Sequence, residues 1–182
     1  MTNIEMTTKE FSNISIKDTN STAKASNVFN LASEGQIDQL KHLSRQELHK
    51  RDENGASVLL YAAKNMHVEV IKMLMELSPS LFFTNDNRGQ NALHYAAKNT
   101  KLNDIDRILS FINICTKFDE NCLKVQDEIG LTPLHVAVSR NNEEFVKSLM
   151  KYKSYLNIEA VDNFGSTALI ESVKCGWTNI CR

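Results

Sequence analysis

Five histidines and four cysteines are the side chains of this 182-residue chain best suited to act as general bases, nucleophiles or metal ligands. Catalytic pairs and metal sites need such groups at short, defined spacings. Cys115, Cys122, Cys175 and Cys181 form no C-x-x-C pair and have no histidine at a zinc-binding distance. They read as buried or incidental thiols of a reducing compartment, which makes a cytoplasmic location the expectation. His49-Lys50-Arg51-Asp52 echoes a kinase catalytic loop, yet no Gly-rich loop, strand lysine or D-F-G accompanies it. His67-Val68-Glu69 echoes the H-x-E of zinc deaminases, and no P-C-x-x-C follows. The phosphate-cradling G-x-x-x-x-G-K-[ST] and the nucleophile elbow G-x-S-x-G do not occur. The residues predict no catalytic site, no metal and no cofactor, in a chain that is not an enzyme.

Composition allows a packed core, with 42% hydrophobic and 24% charged residues, close to soluble globular averages. Twenty-one basic residues against 22 acidic ones leave a net charge of −1, so no nucleic-acid partner is expected. The longest apolar run, Val58 to Ala63, is too short to span a bilayer, and no membrane insertion is expected. The start, MTNIEMTTKE, lacks the basic and apolar regions of a secretory signal. Residues 1–25 are rich in Thr, Asn, Ser and Lys without apolar periodicity, and are predicted to be a flexible tail. A short helix docking on the first repeating unit is the alternative for that segment.

From residue 26 the chain repeats itself. Asp52-Glu53-Asn54-Gly55, Asp86-Asn87-Arg88-Gly89, Asp127-Glu128-Ile129-Gly130 and Asp162-Asn163-Phe164-Gly165 share the pattern D-x-x-G, with glycines 34, 41 and 35 residues apart. Four places beyond each glycine stands a leucine: Leu59, Leu93, Leu134 and Leu169. Small residues follow at fixed offsets, as in Ala62-Ala63, Ala96-Ala97 and Ala137. A period of this size marks a solenoid of stacked units. Aspartate bonds its own backbone and glycine accepts positive φ, so D-x-x-G predicts a tight turn. Thr132 then suits an N-cap and Pro133 the first helical position. Leu134 and Ala137 give this first helix a narrow apolar stripe, and Phe145, Val146, Leu149 and Met150 give a second helix its core face. Val70, Ile71, Leu74 and Met75 form the same stripe in the unit that starts at Asp52. Ile105, Ile108 and Leu109 form it in the unit between, where Asp104 falls on an expected apolar place.

These residues resemble ankyrin repeats. Thr132-Pro133-Leu134-His135 matches the family's T-P-L-H helix start, with weaker forms at Asn91-Ala92-Leu93-His94, Ser57-Val58-Leu59-Leu60 and Thr167-Ala168-Leu169-Ile170. An earlier unit, Val28 to Gly35 followed by Ile37, Leu40 and Leu43, lacks the leading turn. The resemblance covers residues 26–182, as repeats of about 26–51, 52–85, 86–126, 127–161 and an incomplete 162–182. It implies an all-α helix-turn-helix solenoid, and it implies that His94 and His135 bond nearby backbone and order the turns. About seven extra residues are expected as a longer loop within Phe111 to Gln126. The last unit stops inside its second helix, which reads as a fragment of a longer protein.

The resemblance also implies function: a monomeric module that binds another protein through its concave surface. That surface is expected to carry Glu53, Asn54, Arg88, Gln90, Ile129, Leu131 and Phe164 around the turns. Along the first helices it continues with Tyr61, Lys64, Tyr95, Lys98 and Arg140. Tyr61 and Tyr95, at equivalent positions one repeat apart, are the strongest single expectation for a contact. Asn-, Lys- and Ile-rich usage suggests an AT-rich genome and, with the family, a bacterial effector delivered into a host cytosol to bind a host protein. The alternative is the targeting or substrate-recruiting arm of a larger enzyme.

Overall fold

The computed structural model of the chain describes residues 28–179, so the predicted tail at residues 1–25 lies outside the described residues. Among the described residues ten helices occur in order: α1 over 28–34, α2 Ile37–Lys41, α3 Arg45–Leu48, α4 Val58–Lys64, α5 Val68–Leu77, α6 Ala92–Ala97, α7 Ile105–Phe118, α8 Pro133–Ser139, α9 Glu143–Met150 and α10 Ala168–Lys174. Short 3-10 turns at Pro79–Phe83, Glu120–Leu123 and Lys153–Tyr155 lead from α5, α7 and α9 toward the next hairpin. Among the described residues, β structure is limited to isolated bridges such as Arg51 with Ser57. The architecture is the all-α repeat fold that the sequence predicts.

Two layers result. Helices α4, α6, α8 and α10 pack side by side in one, and α2, α5, α7 and α9 in the other. Ala62, Ala63, Ala96, Ala97 and Ala137 are fully buried in the first layer. A methyl group is all that fits there, so helix axes can approach closely. The second layer contributes the larger side chains: Val70, Ile71, Leu74 and Met75 of α5, and Phe145 and Leu149 of α9. Val146 packs on this core from a half-buried position, and Met150 is exposed.

The α6–α7 pair departs from expectation in its register. Its buried face is Ile108, Phe111, Ile112 and Cys115, while Ile105 is exposed. Asp104 is no misplaced core residue: it is the N-cap of α7, its side chain accepting the Arg107 N–H. The extra residues are also divided differently from the loop expected at 111–126. Helix starts lie ten residues apart in α4–α5 and α8–α9 but thirteen apart in α6–α7, and α7 itself runs to 14 residues. The remaining segment forms the 3-10 turn Glu120–Leu123, with Cys122 and Leu123 buried. Beyond α9 the described chain ends with α10, whose Leu169, Ile170 and Val173 are exposed.

Candidate partner-binding face

Each hairpin tip is built by one aspartate. Oδ1 of Asp52 accepts from the N–H groups of Asn54 and Ala56, Asp86 from Arg88 and Gln90, Asp127 from Ile129 and Leu131, and Asp162 from Phe164 and Ser166. At the last tip, the bonds from Ser166 and Phe164 hold Asp162 below the usual carboxylate range. The turn then closes on a glycine with φ near +75 to +82°, a region costly for any residue with a Cβ.

Consecutive tips are stitched together. The N–H of Asn87 donates to the Asn54 carbonyl, that of Glu128 to Arg88, and that of Asn163 to Ile129, each at 2.8–3.0 Å. The Asn87 and Asn163 amides add bonds to the Glu53 and Glu128 carbonyls. Arg88 Nε pairs with Glu128 Oε1 at 2.8 Å. At the base of the tips, Arg51 donates to the carbonyls of Gly55 and Asn85, and Gln126 repeats this on Gly130 and Val161. The sequence reading missed that brace; its signal is a long donor side chain directly before the turn aspartate.

The histidines extend the same stitching. His94 Nδ1 contacts Asn91 Oδ1 at 2.7 Å while Nε2 reaches the Leu131 carbonyl at 2.9 Å. His135 repeats this with Thr132 Oγ1 and the Ser166 carbonyl. Each therefore caps its own helix and ties it to the following hairpin, which goes beyond the turn-ordering role expected. Burial pushes the His94 pKa below its ordinary value, against the opposing bond from the Leu131 carbonyl. His67, the residue at the N-cap of α5, is half-buried and bonds the Ser33 carbonyl of the preceding unit.

With tips and helices fixed in this way, the expected surface residues can be placed. Tyr61 and Tyr95 lie on adjacent first helices and donate their hydroxyls to Asp52 Oδ2 and Asp86 Oδ2 at 2.8 and 2.9 Å. Burial and then the carboxylate partner push Tyr61 up to about 12, and Tyr95 rises for the same reasons. Both rings are half-buried, with Tyr61 stacked 5.1 Å from Phe29. Lys98 Nζ sits 4.3 Å above the Tyr95 ring and donates to Gln90 Oε1. Gln90 is buried, at 6% exposure, and its amide donates in turn to Asp127 Oδ2. Its side chain thus holds neighbouring units together and positions Lys98. Leu131 is half-buried against the core. Glu53, Asn54, Lys64, Arg88 and Arg140 are exposed, as are Ile129 and, at 81%, Phe164.

Among the described residues, no group of three His, Cys, Asp or Glu could hold a metal ion. No helix among them is long and apolar enough to cross a membrane. A family model described as ankyrin repeats, in three copies, matches residues 28–118 and 111–182. No curated protein matches the chain.

Proposed function

The chain belongs to the ankyrin-repeat family, whose members are generally protein–protein interaction modules, and from that premise we propose that it binds a partner protein on its tip-and-first-helix face. The observation that carries this reading is Phe164, an aromatic ring 81% exposed on a turn whose aspartate and glycine already fix the backbone. An exposed aromatic on a rigid support can anchor an interface with little ordering cost. Ile129, one tip away and exposed, extends the anchor, and Arg88 and Lys98 supply charged donors beside it. The face works by preformed shape, without chemistry of its own, in keeping with a family that is typically non-catalytic.

Affinity capture with the full chain tests this. We expect a protein retained by the wild type to be lost from an Arg88→Ala, Ile129→Ala, Phe164→Ala variant that melts at the same temperature. Identical retained proteins would contradict the reading. The Asn-, Lys- and Ile-rich usage supports a host-cell protein as that partner, so host lysate is the first source to use.

A further inference from the structure

A row of cations crosses the first-helix layer. Nine residues beyond Gly55, Gly89 and Gly165 stand Lys64, Lys98 and Lys174; beyond Gly130 that place is Ser139, and the next residue, Arg140, supplies the charge. Two of the lysines are held alike, by the residue that follows the turn glycine. Lys98 Nζ donates to Gln90 Oε1 and Lys174 Nζ to Ser166 Oγ, each at 2.5 Å. Both acceptors are neutral, so these bonds position the ammonium groups without cancelling their charge.

The counter-charge is largely missing from the chain itself. Elsewhere Lys72, Arg107 and Lys147 each have a carboxylate within 3.5 Å. Among the described residues Lys64, Lys98 and Arg140 have no carboxylate at ion-pair distance, and Lys174 has only Glu171 at 4.0 Å. The nearby Asp52 and Asp86 already receive two backbone N–H groups and a tyrosine hydroxyl each. Burial weakens the hold of Lys98 on its proton; Asp86 opposes this, and the like charges of Lys64, Arg140 and Arg88 add to the burial effect. Clustered cations that lack a close counter-charge, one of them the half-buried Lys98, favour an anion brought from outside.

We propose that this row receives an acidic, extended segment of the partner protein, laid across the stack from one first helix to the next. The inference rests on the protein-binding reading above. Packed helices stand about 8–10 Å apart, and an extended chain advances about 3.3 Å per residue, so a carboxylate at every third residue meets one cation per repeat. A nucleic acid fits less well. Duplex DNA carries one charge per ~1.7 Å, far denser than the row.

The test is fluorescence anisotropy on the full chain with three probes: a labelled peptide of about sixteen residues with Glu at every third place, the same peptide with Gln instead, and an oligothymidylate of equal length. We expect binding of the Glu peptide that weakens with salt, and that falls about tenfold in a Lys64→Gln, Lys98→Gln, Arg140→Gln variant. Arg140→Gln alone, at an exposed position, should weaken it in the same direction with an unmoved melting temperature. Lys72→Gln, outside the row, should leave it unchanged. No binding of the Glu peptide, equal binding of the Gln peptide, an unaffected triple variant or tighter binding of the oligonucleotide would each overturn the proposal. A captured protein that is lost with Phe164→Ala yet kept by the triple variant would also overturn it, while leaving the protein-binding reading intact.

Discussion

His94 shows how one side chain can serve two hairpins. It is completely buried, caps α6 through Asn91, and reaches across to the Leu131 carbonyl. Because burial disfavours the imidazolium, its folded pKa lies below the unfolded value near 6.5. The sign follows from linkage: the stability it contributes is complete above that value and is lost as pH falls below it. Melting temperature should therefore decline between about pH 7 and pH 5. A His94→Gln variant should melt lower at neutral pH and show a shallower decline over that window, measured by circular dichroism. An equal slope in both would place the acid sensitivity elsewhere. The role of His94 was legible in the sequence as far as its own turn, through the L-H pair and the N-cap residue before it. Its reach to Leu131 was not, because that acceptor is a backbone carbonyl of the next unit and leaves no residue-type signal.

At the scale of elements, the turn glycines and the helix-start leucines should respond differently to substitution. A Cβ on Gly130 would stand 2.9 Å from the Asn163 nitrogen and the Asp162 Cα, whereas one on Gly165 meets nothing within 4 Å. Both residues have positive φ, so Gly165→Ala should cost about 1–2 kcal/mol of backbone strain. Gly130→Ala should cost more, since the next tip must also shift, and denaturant melts of the two variants give the comparison. Leu93 and Leu134, at 1% and 5% exposure, are core residues of α6 and α8. Changing either to Ala should cost about 2–5 kcal/mol; an unmoved melting temperature would refute the helix register. These elements were readable because turn, cap and stripe recur in phase. The register of α7 was not: of the expected stripe Ile108 is buried, but with three added residues before the helix Ile105 is exposed and Leu109 half-buried, and Phe111, Ile112 and Cys115 complete the buried face. An N-cap aspartate inside an apolar pattern, such as Asp104, looks like a defect until the connection length is known.

For the whole molecule, the two layers give the stack two unlike sides. The tip-and-first-helix side combines fixed backbone, unpaired cations and the exposed Ile129 and Phe164. The second-helix side carries Leu77 at the end of α5 and Phe83 in the 3-10 turn after it, both exposed. The resemblance to ankyrin repeats points to the first side as the expected binding surface, but residue types alone do not separate half-buried linkers from free contacts. Tyr61 and Tyr95 tether turn aspartates, and Gln90 is turned inward, because each finds its partner across a fold whose spacing only coordinates supply.

The most direct test of the central claim is site-specific photo-crosslinking in the full chain, with a benzophenone amino acid placed at Ile129 or Phe164 and, separately, at Leu77 or Phe83. We predict one and the same crosslinked protein from both tip positions and none of it from the second-helix side. A crosslink to that protein from Leu77 or Phe83, with none from the tips, would contradict the assignment of the binding face.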